Sequence, residues 1–207
     1  MSPPIIHDCE QGSPEWFRCR MGLPTSSEFA CLLAKGKGGG ESKTRRTYLR
    51  KLAGEIITGQ PMENYTNAHM ERGKAMEAEA RDFYAFLRDA ELKPVGFIQN
   101  GRTGCSPDAL VGEDGILEIK TALPHVLIEA IEADRFPSEH WAQCQGALMV
   151  TGRKWCDLTV YWPNLPVFIK RALRDEQYIA DLAKSASEFN AELDALVKSV
   201  RSYGIAS

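Results

Sequence analysis

The sequence predicts an α/β or α+β fold in which helices flank one central mixed β-sheet. Two observations support this prediction. Helical periodicity dominates residues 13–89, and short segments with period-two hydrophobicity, separated by turn dipeptides, follow over residues 95–121. From residue 124 onward, helical and strand-like segments alternate, as they do where helices pack on a sheet.

The chain of 207 residues favours a single domain over 1–207, because domains usually hold about 100–200 residues. Within it we expect N-terminal helices over 13–60, a core over 67–173 that contains the strands, and a C-terminal helix over 174–203. The sequence shows no internal repeat and no long low-complexity tract.

Two helices are predicted within residues 13–35. Ser13 is a typical N-cap, and the proline that follows it suits the first helical position. Glycine and proline at 22–24 interrupt the pattern, and Thr25 or Ser26 then caps the second helix.

Two longer helices follow. Residues 43–58 are predicted to be helical up to Gly59. Residues 67–89 show the clearest helical pattern, with apolar side chains at helical spacing. This apolar stripe consists of Met76, Ala80, Phe83 and Leu87.

Three strands are predicted next, over 95–99, 103–111 and 116–121. The dipeptides Asn100-Gly101 and Asp114-Gly115 lie between them and are strong hairpin turns. Because such turns join antiparallel neighbours, the three strands should form a meander.

The last third of the chain alternates between helix and strand. We expect a helix after Pro124, a helix over 138–150, and strands over 155–162 and 167–173. The final helix is amphipathic, and its apolar stripe contains Ile179, Leu182, Phe189, Leu193, Leu196 and Val200.

Composition argues against several classes of protein. Hydrophobic residues make up 43% of the chain, as in ordinary globular proteins. No apolar run approaches the roughly 18 residues of a membrane span, and residues 1–12 lack the apolar segment of a signal peptide. The six cysteines form no C-x-x-C pair, which argues against a zinc ribbon and a disulfide scaffold. We therefore expect a cytoplasmic protein with reduced thiols and no membrane association.

One basic stretch is present although the net charge is −3. Between residues 35 and 51, seven lysines and arginines accompany a single acid, Glu41. Such a cluster is typical of a nucleic-acid-binding surface, and a solvated helix face is the alternative. The basic residues are Lys35, Lys37, Lys43, Arg45, Arg46, Arg50 and Lys51.

The strongest chemical signal is the combination of Asp108, Glu118 and Lys120. Asp108 lies on one predicted strand, and the other two lie on the next, where alternation directs them to the same face. The tight turn between the strands can bring Asp108 beside Glu118. Two neighbouring carboxylates repel each other unless one is protonated or a cation lies between them.

Carboxylate ligands suit Mg²⁺ or Mn²⁺, which can polarise a phosphoryl oxygen and lower the pKa of a bound water. A neighbouring lysine can orient the attacking water or stabilise the developing charge. The alternative is an exposed hairpin on which two acids and a lysine form a cross-strand pair.

Three further polar residues are candidates. Glu77 borders the apolar stripe of its helix and can point toward the sheet, or it can pair with Arg81 four residues on. Gln143 and Gln145 occur in a segment otherwise rich in apolar residues. Either glutamine can bind a phosphate or a metal-bound water, or can be a satisfied amide at the edge of the core.

Five short sequence blocks occur in a fixed order along the chain. They are QGSPEW, RMG and TSS within 11–27, GKAME at 73–77, CSPD at 105–108, EIK at 118–120 and AQCQ at 142–145. In this order they resemble the lambda exonuclease (YqaJ-type) viral recombinase family. The resemblance covers about residues 9–162 and is weakest over 35–66.

The resemblance implies a restriction-endonuclease-like PD-(D/E)xK core with a two-metal site, normally occupied by Mg²⁺. It implies an enzyme that degrades one strand of linear double-stranded DNA 5′→3′ from 5′-phosphorylated ends and leaves 3′ single-stranded overhangs. Asp108 and Glu118 match the metal-binding acids of the family, Lys120 matches its catalytic lysine, and Glu77 matches the helix-borne acid.

The same resemblance implies roles for residues outside the acidic pair. Arg20, Ser27 and Ser106 match positions that hold the terminal 5′-phosphate. Gln143 or Gln145 matches the trailing glutamine of the family, and the sequence leaves open which of the two faces the site.

DNA binding and assembly are also implied by the resemblance. Met70 falls where the family places an apolar residue that wedges between bases at the duplex end, and a core methionine is the alternative. The family forms a toroidal homotrimer around DNA, works with a single-strand annealing protein and is encoded by phages or prophages. The basic residues expected to contact DNA are Lys43, Arg45, Arg46 and Arg50.

Two other functions are the alternatives. One is a different PD-(D/E)xK nuclease, either an endonuclease or a Cas4-like exonuclease. Cas4-like proteins carry C-terminal cysteines for an iron–sulfur centre, and no cysteine follows Cys156 here. The other is a non-catalytic subunit that binds DNA ends, and clustered acids near phosphate argue against it.

Overall fold

The computed structural model describes residues 3–40, 42–62 and 68–204, without the side chains of Lys37 and of residues 68–75. Within this part no helix has the length and the apolar character required to cross a membrane. The α-helices are α1 (Pro14–Arg20), α2 (Phe29–Leu33), α3 (Lys43–Thr58), α4 (Ala68–Arg88), α5 (Pro124–Ala133), α6 (Trp141–Thr151) and α7 (Glu176–Arg201).

The strands of the described chain form two sheets. They are β1 (Ile5–His7), β2 (Leu92–Lys93), β3 (Phe97–Asn100), β4 (Thr103–Cys105), β5 (Ala109–Val111), β6 (Gly115–Thr121), β7 (Trp155–Tyr161) and β8 (Phe168–Leu173). A three-stranded antiparallel sheet has the order β1–β3–β4, and a five-stranded mixed sheet has the order β2–β5–β6–β7–β8.

The five-stranded sheet is mixed because β6 and β7 pair in parallel, whereas the other neighbours are antiparallel. A parallel pair needs a long crossover, and α5 and α6 supply it. Short turns join β5 to β6 and β7 to β8, as expected for antiparallel neighbours.

Alternation along β6 separates two packed faces of the large sheet. Leu117 and Ile119 pack with the buried Ala80 and Tyr84 of α4. Ile116 packs on the opposite face, in the larger core that also contains residues of α2, α3, α6 and α7. Because side chains alternate, Glu118 lies on the face covered by α6.

This mixed architecture, with a central mixed sheet flanked by helices, confirms the predicted fold class. The three-stranded sheet was not predicted, because its strand β1 has only three residues, of which Ile5 and Ile6 are exposed. The predicted strand over 103–111 is interrupted between β4 and β5, where the chain passes from one sheet to the other. Pro107 lies in that interruption and has no N–H to donate to a ladder.

Candidate active site

Asp108 lies in the segment between β4 and β5 and is held by two backbone contacts to β6. Its own N–H donates to the carbonyl oxygen of Leu117 at 3.0 Å. Its carboxylate oxygen Oδ2 accepts the N–H of Ile119 at 2.6 Å. The short hairpin therefore positions this carboxylate beside the middle of β6.

Glu118 and Lys120 extend from β6 toward α6. Glu118 is buried, with 6% of its surface exposed. The ammonium Nζ of Lys120 lies 2.8 Å from Oε1 of Glu118. The amide Nε2 of Gln143, on α6, donates to the same carboxylate oxygen. Glu118 is thus held by one cation and one amide.

Burial and, after it, the closeness of like charges set the electrostatics of this cluster. Burial raises the pKa of Asp108 to about 8, and the nearby Glu118 and Glu77 act in the same direction, against the hydrogen bond from Ile119. For Lys120, burial would lower the pKa, but attraction to Glu118 outweighs it, so the pKa is raised. The site therefore combines a charged lysine with two carboxylates that a further cation would stabilise.

Glu77, on α4, is half-buried and completes the acidic side of the site. It lines a cleft of about 410 Å³ together with Asp108. The wall of this cleft also contains Asp8 and Glu10, which precede α1. Among the described residues, no group of three or more histidine, cysteine or acidic side chains is already arranged as a metal site.

The structure separates the two candidate glutamines. Gln143 contacts Glu118, but Gln145 is fully buried on the other side of α6. The amide Nε2 of Gln145 donates to the carbonyl of Leu173 at 2.7 Å, and its Oε1 accepts the N–H of Asp175 at 2.9 Å. The structure therefore does not bring Gln145 into the cluster, because it joins the end of β8 to the start of α7.

A second group of residues forms around Arg20, at the end of α1. The guanidinium carbon of Arg20 lies 3.9 Å from the ring centroid of Trp16. Its Nη2 donates to Oγ1 of Thr25 at 3.4 Å, and that hydroxyl lies 3.3 Å from Oγ of Ser27. The indole N–H of Trp16 donates to Oγ of Ser106 at 2.9 Å. Arg20, Ser27 and Ser106 thus belong to one connected set of contacts.

The two groups of residues meet along one short segment. Ser106, in the Arg20 group, is two residues before Asp108, and the buried thiol of Cys105 precedes both. Burial raises the pKa of this thiol, with Glu118 adding to the increase and Arg20 opposing it. Cys105 therefore lies within electrostatic range of both Glu118 and Arg20.

The basic residues of α3 are not equivalent. Lys43 and Arg50 are exposed. Arg45 forms a bidentate ion pair with Glu192 of α7 at 2.7 and 2.8 Å, and only 15% of its side chain is exposed. Arg45 is thus held between α3 and α7, and its predicted contact with DNA stays a prediction. Arg46 also lies near Glu192, whose pKa is lowered first by Arg45.

Met70 lies in the first turn of α4, where the side chains are outside the part of the chain that the structure describes. Its predicted contact with DNA bases stays a prediction.

Sequence reasoning missed His140, which immediately precedes α6. It is half-buried and lies three residues before Gln143, so both residues lie on the same face of the helix. Burial and the charge of Lys120 lower the pKa of His140, which keeps the imidazole neutral near pH 7. In the sequence, the i, i+3 spacing between His140 and Gln143 is the feature that could have indicated that His140 lies near the site.

Comparison with known proteins identifies the family of the chain. The model of the YqaJ-like viral recombinase domain matches residues 15–154. The chain is 33% identical to an alkaline exonuclease (LHK-Exo) from Laribacter hongkongensis, over 91% of this chain and 96% of that one, with a TM-score of 0.82. The structure of LHK-Exo in complex with dAMP gives the same identity and coverage, with a TM-score of 0.83.

A phage-related exonuclease from Haemophilus somnus 129PT has a similar fold. Its TM-score is 0.65 at 14% identity, over 86% of this chain and 96% of that one. No protein with a curated description matches the chain. The family model covers more than half of the chain, and together with the similarity to LHK-Exo it shows that the chain belongs to the YqaJ-like viral recombinase domain family.

Proposed function

We propose that this chain is a metal-dependent exonuclease that degrades one strand of linear double-stranded DNA 5′→3′ from 5′-phosphorylated ends. Its products are mononucleotides and 3′ single-stranded overhangs. Its family and its 33% identity to an alkaline exonuclease make it a nuclease. The observation that carries the finer proposal is the cluster in which Lys120 and Gln143 hold Glu118 beside Asp108.

The donor set of the cluster fits Mg²⁺, with Mn²⁺ as a substitute. Asp108 and Glu118 are the carboxylate ligands, and hard divalent ions prefer oxygen donors. The raised pKa of Asp108 is consistent with this, because burial, and after it the neighbouring Glu118 and Glu77, disfavour a carboxylate there unless a cation is bound. Glu77, on the same cleft, is the further acid for a two-metal site. When bound, such ions polarise a phosphoryl oxygen and lower the pKa of a coordinated water.

The residues around Glu118 have distinct tasks in this proposal. Lys120 remains charged at neutral pH and stabilises the negative charge that develops on the reacting phosphate. Gln143 donates to Glu118 and restrains the orientation of its carboxylate. Because both contacts exist in the free protein, little reorganisation is needed when DNA binds.

Direction of digestion is assigned to the group around Arg20. A terminal phosphate monoester carries about −1.5 to −2 charge near pH 7, more than an internal diester. A guanidinium binds it bidentately, and the hydroxyls of Ser27 and Ser106 supply further hydrogen bonds. Since Ser106 lies two residues before Asp108, a phosphate held there places the next phosphodiester near the cluster.

Several properties of the assembly belong to the same proposal. Exposed Lys43 and Arg50, with Arg46 near them, contact the phosphates of the duplex, and Met70 contacts the bases at its end. We also propose that the chain forms a homotrimer around DNA and works with a single-strand annealing protein. It would act in the cytoplasm of a bacterial host during phage-type recombination. The dAMP bound to LHK-Exo is a mononucleotide, which supports mononucleotide release.

The test uses four substrates and two metal conditions. Linear duplexes with and without a 5′-phosphate, a nicked circle and a closed circle are incubated with Mg²⁺ or with EDTA. We expect fast digestion of the phosphorylated linear duplex and slow digestion of the hydroxyl-ended one, both in Mg²⁺ only, with labelled mononucleotides released from the 5′ end. Cleavage of the closed circle would instead identify an endonuclease, and binding of linear ends without digestion would identify a non-catalytic end-binding subunit.

A further inference from the structure

Gln11 makes two hydrogen bonds that span the cleft floor beside the acidic cluster. It lies between β1 and α1, and it lines the cleft together with Glu77 and Asp108. Its amide Nε2 donates to the carbonyl of Val95 at 2.8 Å and to the carbonyl of Pro107 at 3.0 Å. One side chain therefore joins two segments that are far apart in the sequence.

The two carbonyl groups that accept these hydrogen bonds lie outside the β-strands. Val95 lies between β2 and β3, and Pro107 lies between β4 and β5, so neither is part of a strand ladder. Pro107 has no N–H and cannot anchor itself by donating a hydrogen bond. Its backbone can therefore form a hydrogen bond only through the carbonyl oxygen, and Gln11 donates to that oxygen.

Pro107 is directly joined to Asp108. The peptide unit whose oxygen Gln11 binds also contains the nitrogen of Asp108, which donates to the carbonyl of Leu117 at 3.0 Å. Because a peptide unit is planar, fixing its oxygen on one side and its N–H on the other fixes its orientation. That orientation fixes the position of the Asp108 Cα, from which the side chain extends to the N–H of Ile119.

We propose that Gln11 is a positioning residue for the metal ligand Asp108, acting through the Pro107 carbonyl rather than by contact with metal or DNA. This proposal rests on the proposed function, since it takes Asp108 as a ligand. Residues that orient a ligand typically contribute about 10–100-fold in metal affinity or activity. Gln11 would supply that orientation from the N-terminal segment.

The test compares Gln11→Met with a matched control, Gln99→Met. Methionine keeps the length of glutamine but donates no hydrogen bond. Gln99 also bonds the N-terminal segment, through Nε2 of His7 at 3.1 Å, but it bonds Gly101 and not the Asp108 segment. Mn²⁺ binding to the full chain is measured by titration calorimetry, and digestion of a 5′-phosphorylated duplex is measured at several Mg²⁺ concentrations.

We expect Gln11→Met to weaken Mn²⁺ binding by about 10-fold or more and to raise the Mg²⁺ concentration for half-maximal digestion by a similar factor. Gln99→Met should stay within about twofold of the wild type in both measurements. Gln11→Asn, whose shorter amide reaches only one carbonyl, should be intermediate. Wild-type Mn²⁺ affinity in a folded Gln11→Met or Gln11→Asn variant would overturn the proposal.

Two further outcomes separate this proposal from the one on which it rests. If the wild type binds Mn²⁺ but digests no DNA, the proposed function is contradicted, and the Mn²⁺ comparison still decides the role of Gln11. If both Gln11 variants fail to fold, as seen by circular dichroism, Gln11 contributes to stability alone and the positioning role is overturned.

Discussion

The cluster around Glu118 and the group around Arg20 meet at residues 106–108 but are stabilised in opposite ways. In the cluster, two carboxylates lie near each other and burial raises the pKa of Asp108. Around Arg20, an aromatic ring and the Thr25 hydroxyl contact one cation, and the hydroxyls of Ser27 and Ser106 bond Thr25 and Trp16 in turn. The comparison teaches that the cluster brings like charges together where burial penalises them, whereas the Arg20 group holds one guanidinium against an aromatic ring and a hydroxyl.

The largest effect is expected when the cluster around Glu118 loses the positive charge of Lys120. Lys120→Ala should reduce digestion about 10²–10³-fold, because it removes a charge that stabilises the reacting phosphate. Initial rates on a 5′-phosphorylated duplex at saturating Mg²⁺ measure this. The matched control is Lys154→Ala, which removes a lysine paired with Asp114 but 72% exposed. A near-wild-type rate in a folded Lys120→Ala variant would contradict the assignment of the cluster.

The next effect tests the Arg20 group. Arg20→Ala should slow digestion of phosphorylated ends about 10–100-fold, since hydrogen bonds to charged groups contribute roughly 1.5–3 kcal/mol. Digestion of hydroxyl ends should change little, so the ratio between the two rates collapses. Arg18→Ala is the control, because Arg18 is an exposed arginine of the same helix that bonds Pro14. A preserved phosphate preference in Arg20→Ala would assign Arg20 to stability of the helix end.

A smaller effect separates the two glutamines of α6. Gln143→Ala should slow digestion about 10-fold and leave stability nearly unchanged, because it removes a hydrogen bond that orients the Glu118 carboxylate. Gln145→Ala should instead cost about 1–3 kcal/mol of stability, since it leaves two backbone groups without a partner. Thermal unfolding and initial rates are measured for both. The reverse pattern would show that Gln145 is the functional glutamine.

The smallest effect concerns pH and the metal-free protein. Because the pKa of Asp108 is raised to about 8, the folded chain binds this proton more tightly than the unfolded chain does. The resulting stability is present below the ordinary pKa of aspartate and is lost as the pH rises through 8. Asp108→Asn keeps an acceptor oxygen for the N–H of Ile119 but removes the titration.

In EDTA, Asp108→Asn should therefore be more stable than the wild type at pH 9 by about 1 kcal/mol, or roughly 2–4 °C in Tm. At pH 5 the difference should shrink, because the wild-type carboxyl is then mostly protonated. Melting curves at the two pH values measure it. An equal difference at both values would show that repulsion at Asp108 does not limit stability.

Much of the fold could be predicted because its signals are local. The predicted helix over 43–58 coincides with α3, which begins at the Ser42 cap and ends at Gly59 in the left-handed conformation. The predicted strand over 116–121 differs from β6 by one residue. The short strand β1 and the three-stranded sheet could not be predicted, since pairing of β1 with β3 joins residues more than ninety positions apart.

The candidate site also has a part that local sequence patterns predict and a part that depends on tertiary packing. Asp108, Glu118 and Lys120 come together because one hairpin and period-two alternation suffice to place them. The choice between Gln143 and Gln145 required the rotation of α6 against the sheet, which no local pattern specifies. The ion pair between Arg45 and Glu192 likewise depends on the packing of α3 against α7.

By itself the sequence determined the α/β fold class, the acidic hairpin and the family, because each follows from local patterns and from their order along the chain. Only the tertiary structure decided that Gln143 holds Glu118, that Gln11 joins Val95 to Pro107, and that Trp16 links Arg20 to Ser106. Those contacts join segments about 25 to 96 residues apart. Their formation depends on how whole elements pack, and the residue types alone leave that packing undetermined.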